Sequence, residues 1–199
     1  MKLVLATRNQ HKVAELSRIL AAAGLDAEVV DASAYPSVPD VAETGATFAE
    51  NALSKARAFA AATELPAVAD DSGLCVDALN GMPGILSARW SGRNGDDQTN
   101  LELVLDQVAD VPDDRRGAAF VCAAALVLPS GEERVVEGEI RGRLVRVPRG
   151  EGGFGYDPIF QPDGDTRTTA EMSAEEKDAI SHRGRAFRAL VPVIGELLG

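Results

Sequence analysis

Apolar residues recur along the chain with two spacings, and the alternation of these spacings predicts an α/β protein. Short apolar runs bounded by polar or glycine-rich segments are typical of strands, whereas apolar residues three and four positions apart indicate one face of a helix. The predicted strands cover residues 3–6, 27–30, 66–69, 74–79, 118–128 and 134–147, the last two joined by a hairpin turn at 129–132. The predicted helices cover residues 13–23, 47–65 and 98–109, a short segment after 173, and a final segment from 183. Strands that alternate with helices and end in a long hairpin favour a mixed β-sheet.

Local signals define the ends of three of these helices. Thr47 with Glu50, and Ser173 with Glu176, match the capping-box pattern that opens a helix. Pro192 lies inside the last helical segment. Because proline lacks a backbone N–H and its ring crowds the preceding turn, we expect that helix to kink or to end early.

The composition excludes several classes of partner. The 199 residues include 31 Asp and Glu against 20 Lys and Arg, a net charge of −11, which repels nucleic acid polymers and anionic membranes. No apolar stretch reaches the length that crosses a membrane, and the apolar run after Met1 is too short for a signal peptide. Cys75 and Cys122 are too few for a disulfide framework. We therefore expect a soluble, cytoplasmic protein without nucleic acid or membrane as a partner.

The polar segment between the first strand and the first helix predicts an anion site. Its residues are Thr7, Arg8, Asn9, Gln10, His11 and Lys12. The free N–H groups and the positive dipole end of a helix N-terminus attract phosphate, and Lys12 in the first turn adds a positive charge. The glycines of a Walker A loop are absent. An ordinary capped helix with a surface lysine is the alternative.

Carboxylates follow the third predicted strand. Asp70 and Asp71 precede Ser72 and Gly73, so we expect them in a turn at the carboxyl end of that strand, where open α/β sheets bind ligands. Two adjacent carboxylates can hold Mg²⁺ and can orient or deprotonate a water molecule. An Asx turn that caps its own backbone is the alternative. Glu43, on the proline-containing loop 34–46, can supply a further carboxylate.

A glycine-rich segment, residues 150–158, offers groups for a flat ring. Its glycines let the backbone approach a ligand closely. Phe154 or Tyr156 can stack on a planar base, and Asp157 can accept hydrogen bonds from it. The alternative is a tight loop whose aromatic side chains fill the edge of the core.

Further cations stand out because the chain holds few lysines. Lys55 shares a helix face with Asn51 and can reach a phosphate. Lys177, His182 and Arg183 cluster before the last helix, where they can bind an anion or a carbonyl group. Taken together, the residues indicate a nucleotide phosphohydrolase or a nucleotide-binding module, and residue chemistry alone does not separate the two.

Six segments, in their order along the chain, resemble the inosine/xanthosine triphosphate pyrophosphatases, which remove non-standard purine nucleotides. The segments are LATRNQHK, ETGATFAENALSKA, ADDSGL, GMPGILSARWSG, GGFGYDPIF and EEKDAISHRGRA. The resemblance implies one two-lobed domain over residues 1–199, with an elongated mixed β-sheet flanked by helices and a central nucleotide cleft. It also implies a homodimer that uses Mg²⁺ to hydrolyse the purine nucleoside triphosphates ITP, dITP and XTP to the monophosphate and pyrophosphate.

The resemblance assigns a role to each matching position. The phosphates would be held by Thr7, Arg8, Asn9, Gln10, His11, Lys12 and Lys55, with Asn9 and Lys12 closest. Asp71 would be the general base or metal-organising carboxylate, with Asp70 beside it, Glu43 as a further metal ligand and Ser72 touching the substrate. The base would be framed by Phe154, Gly155, Tyr156 and Asp157, and its keto edge and ribose side read by Lys177, His182 and Arg183. Many relatives carry a small residue where this chain has Arg8, so the role of that side chain is open.

Two other functions fit the same residues. A non-catalytic purine nucleotide sensor would use the same scaffold, although a pure binder gains little from paired carboxylates beside phosphates. A pyrophosphatase for modified pyrimidine triphosphates would differ only in its base pocket. Nucleotide binding without turnover would indicate the sensor, and the preferred base would separate the two enzymes.

Overall fold

A six-stranded mixed sheet with helices forms the framework of the computed structural model, which describes residues 1–198. The strands are β1 (Lys2–Leu5), β2 (Glu28–Asp31), β3 (Ala67–Val76), β4 (Gly117–Val127), β5 (Glu133–Leu144) and β6 (Phe160–Pro162). The helices are α1 (Gln10–Ala22), α2 (Phe48–Thr63), α3 (Asp97–Gln107), α4 (Ala174–Ile180) and α5 (His182–Leu198). The strand order is β2-β1-β3-β4-β5-β6. Because β1 is parallel to β2 and β3 while β6 is antiparallel to β5, the predicted mixed α/β sheet is confirmed.

The chain divides into two compact units. The first contains residues 1–71, residues 122–138 and the described residues from 183 onward; the second contains residues 72–121 and 139–182. No helix within residues 1–198 is long and apolar enough to cross a membrane.

The first unit has two apolar clusters, and β1 contributes to both. Leu3 and Leu5 pack with α1 and α5, whereas Val4, between them, packs with α2. Consecutive side chains of a strand point to opposite faces, so one strand supplies both clusters. Val68 of β3 belongs to the first cluster and Ala69 to the second, which repeats the pattern.

The second unit has a single described cluster. Leu101 and Val104 of α3 pack in it with Phe120, Ile140 and Phe160, from β4, β5 and β6. The helical spacing of Leu101 and Val104 is the signal that predicted α3, and the helix is confirmed with its start one residue earlier.

Strand β3 is continuous, so the prediction of two short strands separated by an acidic turn is wrong. Leu74 and Val76, beyond the carboxylates, are fully buried. Gly73 is needed for close packing, since a Cβ there would lie 2.4 Å from Ser87 Oγ and 2.5 Å from the carbonyl oxygen of Gly84. A glycine that admits a neighbouring segment has the same sequence signature as a turn glycine.

Helix capping follows the sequence closely at one site and partly at the other. Ser173 and Glu176 form the reciprocal capping box that their spacing predicts. At α2 one of the two capping-box hydrogen bonds is present: the Thr47 side chain accepts from the N–H of Glu50. The Glu50 carboxylate instead accepts from the N–H of Ala46, at 2.7 Å.

The last helix passes through Pro192 and continues to Leu198, so the prediction of an early end is wrong. Leu190 and Ile194, on either side of the proline, are fully buried in the first unit. The packing of this apolar face offsets the one backbone hydrogen bond that proline removes.

Candidate functional site

The two central carboxylates lie in the middle of β3, not at its end. Asp70 follows Ala69 in the strand and Asp71 follows Asp70, so their side chains point to opposite faces of the sheet. The partners of each carboxylate confirm this, because Asp70 contacts residues of α1 and α5 whereas Asp71 contacts residues of α2.

Asp70 is a buried carboxylate held between two cations. Its Oδ2 lies 2.7 Å from Lys12 Nζ and 3.2 Å from Arg183 Nε, and the residue is 3% exposed. Burial by itself raises the pKa of Asp70, but the charges of Lys12 and Arg183 outweigh it and hold the pKa well below its usual range. Arg183 also approaches Glu15, a buried acid of α1, at 4.0 Å. Asp70 is therefore ionised and engaged at ordinary pH.

Asp71 faces a different set of groups. Asn51 Nδ2 donates to its Oδ2 at 2.9 Å, and Lys55 Nζ lies 3.4 Å from its Oδ1. Lys55 Nζ is also 3.0 Å from Glu43 Oε1, so one ammonium stands between two carboxylates. Burial raises the pKa of Asp71, and it does so more strongly than Lys55 lowers it.

The donor set of Glu43 and Asp71 suits a hard divalent cation. Both carboxylates approach one positive charge, that of Lys55. Among residues 1–198 no three acidic, His or Cys side chains form a preassembled metal cluster. Mg²⁺ does not require one, because it is commonly held by one or two carboxylates together with substrate phosphates and water.

The segment before α1 has the geometry of a capped helix N-terminus. The Asn9 side chain accepts from the N–H of His11 at 2.9 Å, and Thr7 Oγ1 accepts from the N–H of Asn9 at 3.2 Å. Helix α1 begins at Gln10, so Lys12 lies in its first turn as predicted. The first-turn N–H groups and Lys12 are the components of an anion site.

Two other side chains of that segment bind acidic partners. Arg8 forms an ion pair with Asp40 of the loop before α2, and both side chains are exposed. Gln10 Nε2 donates to Asp31 Oδ2 at 2.6 Å. The role of Arg8 that the sequence left open is therefore, at least in part, a contact with Asp40.

In the second unit the two aromatic residues of the glycine-rich segment differ in exposure. Phe154 is 62% exposed. Tyr156 is buried, its hydroxyl donates to the carbonyl oxygen of Ser87 at 2.7 Å, and burial raises its pKa. Phe154 is thus available to stack on a ligand, whereas Tyr156 fills the edge of the core, and each of the two sequence alternatives holds for one ring.

Asp157 uses its carboxylate inside the protein. Its Oδ1 accepts from Thr169 Oγ1 at 2.8 Å, and its Oδ2 accepts from the N–H of Phe154 at 2.8 Å and from Lys177 Nζ. Lys177 Nζ in turn lies 4.9 Å from the centre of the Phe154 ring, a cation–π contact. Asp157 therefore fixes both Phe154 and Lys177, and Gly155 is tied separately to Asp97 of α3 by an N–H donated at 2.9 Å.

The remaining site residues fall in both units. His182 stacks on Phe120 with ring centres 5.0 Å apart and an angle of 13° between the planes. His182 belongs to the second unit and Arg183 to the first. Ser72 lies half-buried within β3, next to Asp71.

Sequence reasoning missed several positioning residues. No sequence pattern singles out Glu15, Asp97 or Thr169, and helical spacing relates Asn51 only to Lys55 on the same helix face. A polar residue on the apolar face of a helix was the available signal for Asn51 and Glu15, since α1 and α2 bury these side chains among leucine and alanine. Nothing in the sequence marks Thr169 or Asp97 as partners of the glycine-rich segment, because neither shares a helix or strand with it.

The chain is similar over nearly its whole length to proteins of one family. A family model described as the Ham1 family matches residues 3–193. A dITP/XTP pyrophosphatase of Streptomyces coelicolor is 69% identical over 198 residues, which cover 100% of this chain and 99% of the relative. A dITP/XTP pyrophosphatase of Mycobacterium tuberculosis is 58% identical over 200 residues, which cover 98% of this chain and 96% of the relative.

Solved structures give the same result. A nucleoside-triphosphatase, also named dITP/XTP pyrophosphatase, from Mycobacterium abscessus superimposes with a TM-score of 0.83 at 58% identity, covering 98% of this chain and 100% of that chain. A HAM1 protein from Coxiella burnetii superimposes with a TM-score of 0.91 at 42% identity, covering 98% of this chain and 99% of that chain.

Proposed function

The chain belongs to the Ham1 family, and we propose that it hydrolyses non-standard purine nucleoside triphosphates, among them dITP, ITP and XTP, to the monophosphate and pyrophosphate. The identity of 69% to a dITP/XTP pyrophosphatase, over the whole chain, supports this activity. The observation in the structure that carries the proposal is the pairing of consecutive β3 carboxylates with lysines from two helices, Lys12 with Asp70 and Lys55 with Asp71.

The triphosphate is assigned to the first unit. The N-terminal N–H groups of α1 and the ammonium groups of Lys12 and Lys55 supply local positive charge in a protein whose net charge is −11. Thr7 and Asn9 shape this segment, and Arg8, Gln10 and His11 extend its polar surface. Asp70 keeps Lys12 in place.

Asp71 is assigned the role of general base, with Ser72 beside the substrate. A water molecule adds to phosphorus at the anhydride bond between the α- and β-phosphates, its proton passes to the Asp71 carboxylate, and pyrophosphate separates from the monophosphate. Asn51 and Lys55 contact both oxygens of this carboxylate and hold it in place for the transfer. Glu43 and Asp71 would hold Mg²⁺, which when bound offsets phosphate charge and polarises the reacting phosphorus. Asp70, which the sequence also offers as a Mg²⁺ ligand, is not assigned to the metal ion, because its side chain lies on the other face of β3 and contacts Lys12 and Arg183.

The base is assigned to residues of the second unit. The exposed ring of Phe154 stacks on the purine, while Gly155, Tyr156 and Asp157 shape the segment that presents it. Lys177 and His182 are assigned as hydrogen-bond donors to a 6-keto group. Adenine offers an amino donor there and would leave these donors unpaired, and a site of this kind can discriminate by about 10⁴-fold. Arg183, which the resemblance assigned beside Lys177 and His182, contacts Asp70 and Glu15 in the first unit instead.

Three expectations from the sequence stay predictions beside this activity. They are a homodimer, a cytoplasmic location and a single domain that extends over the whole chain. Light scattering after gel filtration measures the first directly, since a dimer doubles the 20.9 kDa mass of the chain.

The activity is tested by incubating the protein with Mg²⁺ and ITP, XTP, dGTP or ATP and identifying the products. We expect release of pyrophosphate and monophosphate from ITP and XTP, and little from dGTP and ATP. Release of inorganic phosphate and diphosphate would contradict the reaction. Tight ITP binding without turnover would instead indicate a sensor.

A further inference from the structure

The side chain of Asn51 links the Asp71 carboxylate to the backbone of the loop that carries Glu43. Asn51 lies on α2 and is 1% exposed. Its Oδ1 accepts from the N–H of Gly45 at 2.8 Å, and its Nδ2 donates to Asp71 Oδ2 at 2.9 Å. Both ends of this buried amide are therefore satisfied, one by the loop before α2 and one by β3.

The contact leaves no space for a side chain at position 45. A Cβ at position 45 would lie 2.7 Å from Asn51 Oδ1 and 2.7 Å from the Cβ of Glu50, closer than real side chains come. The backbone of the loop can thus reach Asn51 only because residue 45 has no side chain. Glu43 lies two residues earlier, and its carboxylate is 3.0 Å from Lys55 Nζ. The contact that fixes the backbone at Gly45 therefore also limits where the backbone of Glu43 can lie.

The contact constrains the orientation of Asp71. The terminal torsion of an aspartate side chain is broad, so a carboxylate without fixed partners samples several orientations. Here Asn51 takes Oδ2, and Oδ1 faces Lys55 at 3.4 Å. The amide and the ammonium group together therefore determine how the carboxylate is oriented.

We propose that Asn51 is a positioning residue for hydrolysis, whose amide orients the Asp71 carboxylate and ties it to the loop that carries Glu43. The inference rests on the proposed role of Asp71. Asn51 is assigned no contact with the substrate, because its amide is used by Gly45 and Asp71. A loss of catalysis with unchanged nucleotide affinity is its expected signature, since a displacement of about 1 Å at a reacting group can cost roughly 10²-fold in rate.

A second buried asparagine provides a matched control. Asn100 of α3 is also 1% exposed, and it also accepts a backbone N–H, that of Ser91 at 2.7 Å. Its Nδ2, however, donates to a backbone carbonyl, that of Ala88 at 3.2 Å, and to no carboxylate in the described chain. Asn100 therefore makes the same kind of buried backbone contact as Asn51 but does not orient a carboxylate.

The test compares Asn51→Asp with Asn100→Asp. Each substitution keeps the size and the oxygen that accepts the backbone N–H, and replaces the NH₂ donor with an acidic oxygen that no longer donates when ionised. Asn100→Asp therefore controls for the burial of an added carboxylate as well as for the lost donor. For Asn51→Asp we expect kcat for ITP to fall by about 10- to 100-fold, with KM and the affinity for a non-hydrolysable ITP analogue within about threefold of wild type. For Asn100→Asp we expect kcat within about twofold of wild type.

Gly45→Ala keeps the test decisive if Asn51→Asp fails to fold, which a thermal melt would reveal. The added methyl group displaces the Asn51 amide while leaving its chemistry intact, so the same fall in kcat is expected. The proposal is overturned if kcat stays near wild type in Asn51→Asp and Gly45→Ala, if KM rises while kcat is kept, or if Asn100→Asp loses kcat equally. Absence of pyrophosphate release from the wild-type protein would refute the proposed function itself, before any variant is compared.

Discussion

At the scale of single residues, the buried carboxylate of Asp157 holds the groups that are assigned to the base. It accepts hydrogen bonds from Thr169, Phe154 and Lys177, whereas the sequence predicts that it accepts them from a base. The partner Thr169 lies twelve residues further along the chain, and the two residues begin separate three-residue 3-10 helices. Spacing arguments hold within one helix or strand, and this contact joins two different elements.

Removing the Thr169 hydroxyl tests the positioning role of Asp157. Thr169→Val leaves one oxygen of a carboxylate that is 2% exposed without its donor. We expect the free energy of unfolding in urea to fall by about 2 kcal/mol and KM for ITP to rise several-fold, because Lys177 and Phe154 lose their fixed anchor. Thr63→Val, which removes a hydroxyl that donates to the carbonyl of Phe59 in the first unit, should leave KM unchanged. An equal KM in both variants would contradict the role.

Substitution of Gly153 gives a second test of the positioning role of Asp157. Its φ is +73°, and a Cβ there would lie 2.1 Å from Asp157 Oδ2, so Gly153→Ala must displace the carboxylate. Gly155 has a φ of +61° with no atom within 4 Å of its Cβ position, so Gly155→Ala adds only backbone strain. We expect Gly153→Ala to raise KM for ITP at least several-fold more than Gly155→Ala. Equal KM values would show that Asp157 does not control the segment.

At the scale of elements, most of the sheet and helices follow from apolar periodicity, and the main error concerns β3. Polar residues inside a buried strand have the composition of a turn, and Gly73 reinforces that interpretation. The tertiary partners decide otherwise, because Lys12 and Arg183 stabilise Asp70 while Asn51 and Lys55 stabilise Asp71. A strand can thus continue through two carboxylates when helices on both faces supply their partners.

The thiols of β3 and β4 report on the integrity of these strands. Cys122 of β4 is fully buried, and burial raises its pKa strongly. Cys75 of β3 is half-buried, and its pKa is raised by burial and by the nearby Glu139. Because a raised pKa reduces the reactive thiolate at pH 8, we expect iodoacetamide to label Cys75 slowly and Cys122 only after unfolding in urea. Rapid labelling of Cys122 in the native protein would contradict the strand assignment.

At the scale of the whole molecule, the apolar periodicity predicts the α/β fold, whereas the activity comes from the family resemblance. Residue chemistry by itself leaves open whether the chain is an enzyme or a binding module. A net charge of −11 means that an anionic substrate must be bound by local positive charge. Glu43 and Asp71, the residues proposed to hold Mg²⁺, both contact Lys55, and residues 1–198 contain no complete set of protein ligands for a metal ion.

Metal removal therefore has a specific expected outcome. With two carboxylates and no substrate phosphate, Mg²⁺ is bound weakly, so EDTA should leave the melting temperature of the nucleotide-free protein unchanged. The same EDTA concentration should abolish pyrophosphate release from ITP, and excess Mg²⁺ should restore it. Turnover that persists in EDTA would show that these carboxylates act without a metal ion.

The most direct test of the proposed function is the rate of pyrophosphate release from ITP by Asp71→Asn. The substitution keeps the shape of the side chain and removes the proton acceptor. We expect kcat to fall by about 10²- to 10⁴-fold while ITP still binds, since a general base contributes a factor of that size. A variant that releases pyrophosphate at close to the wild-type rate would show that Asp71 is not the base, and the assignment of catalysis to β3 would have to be abandoned.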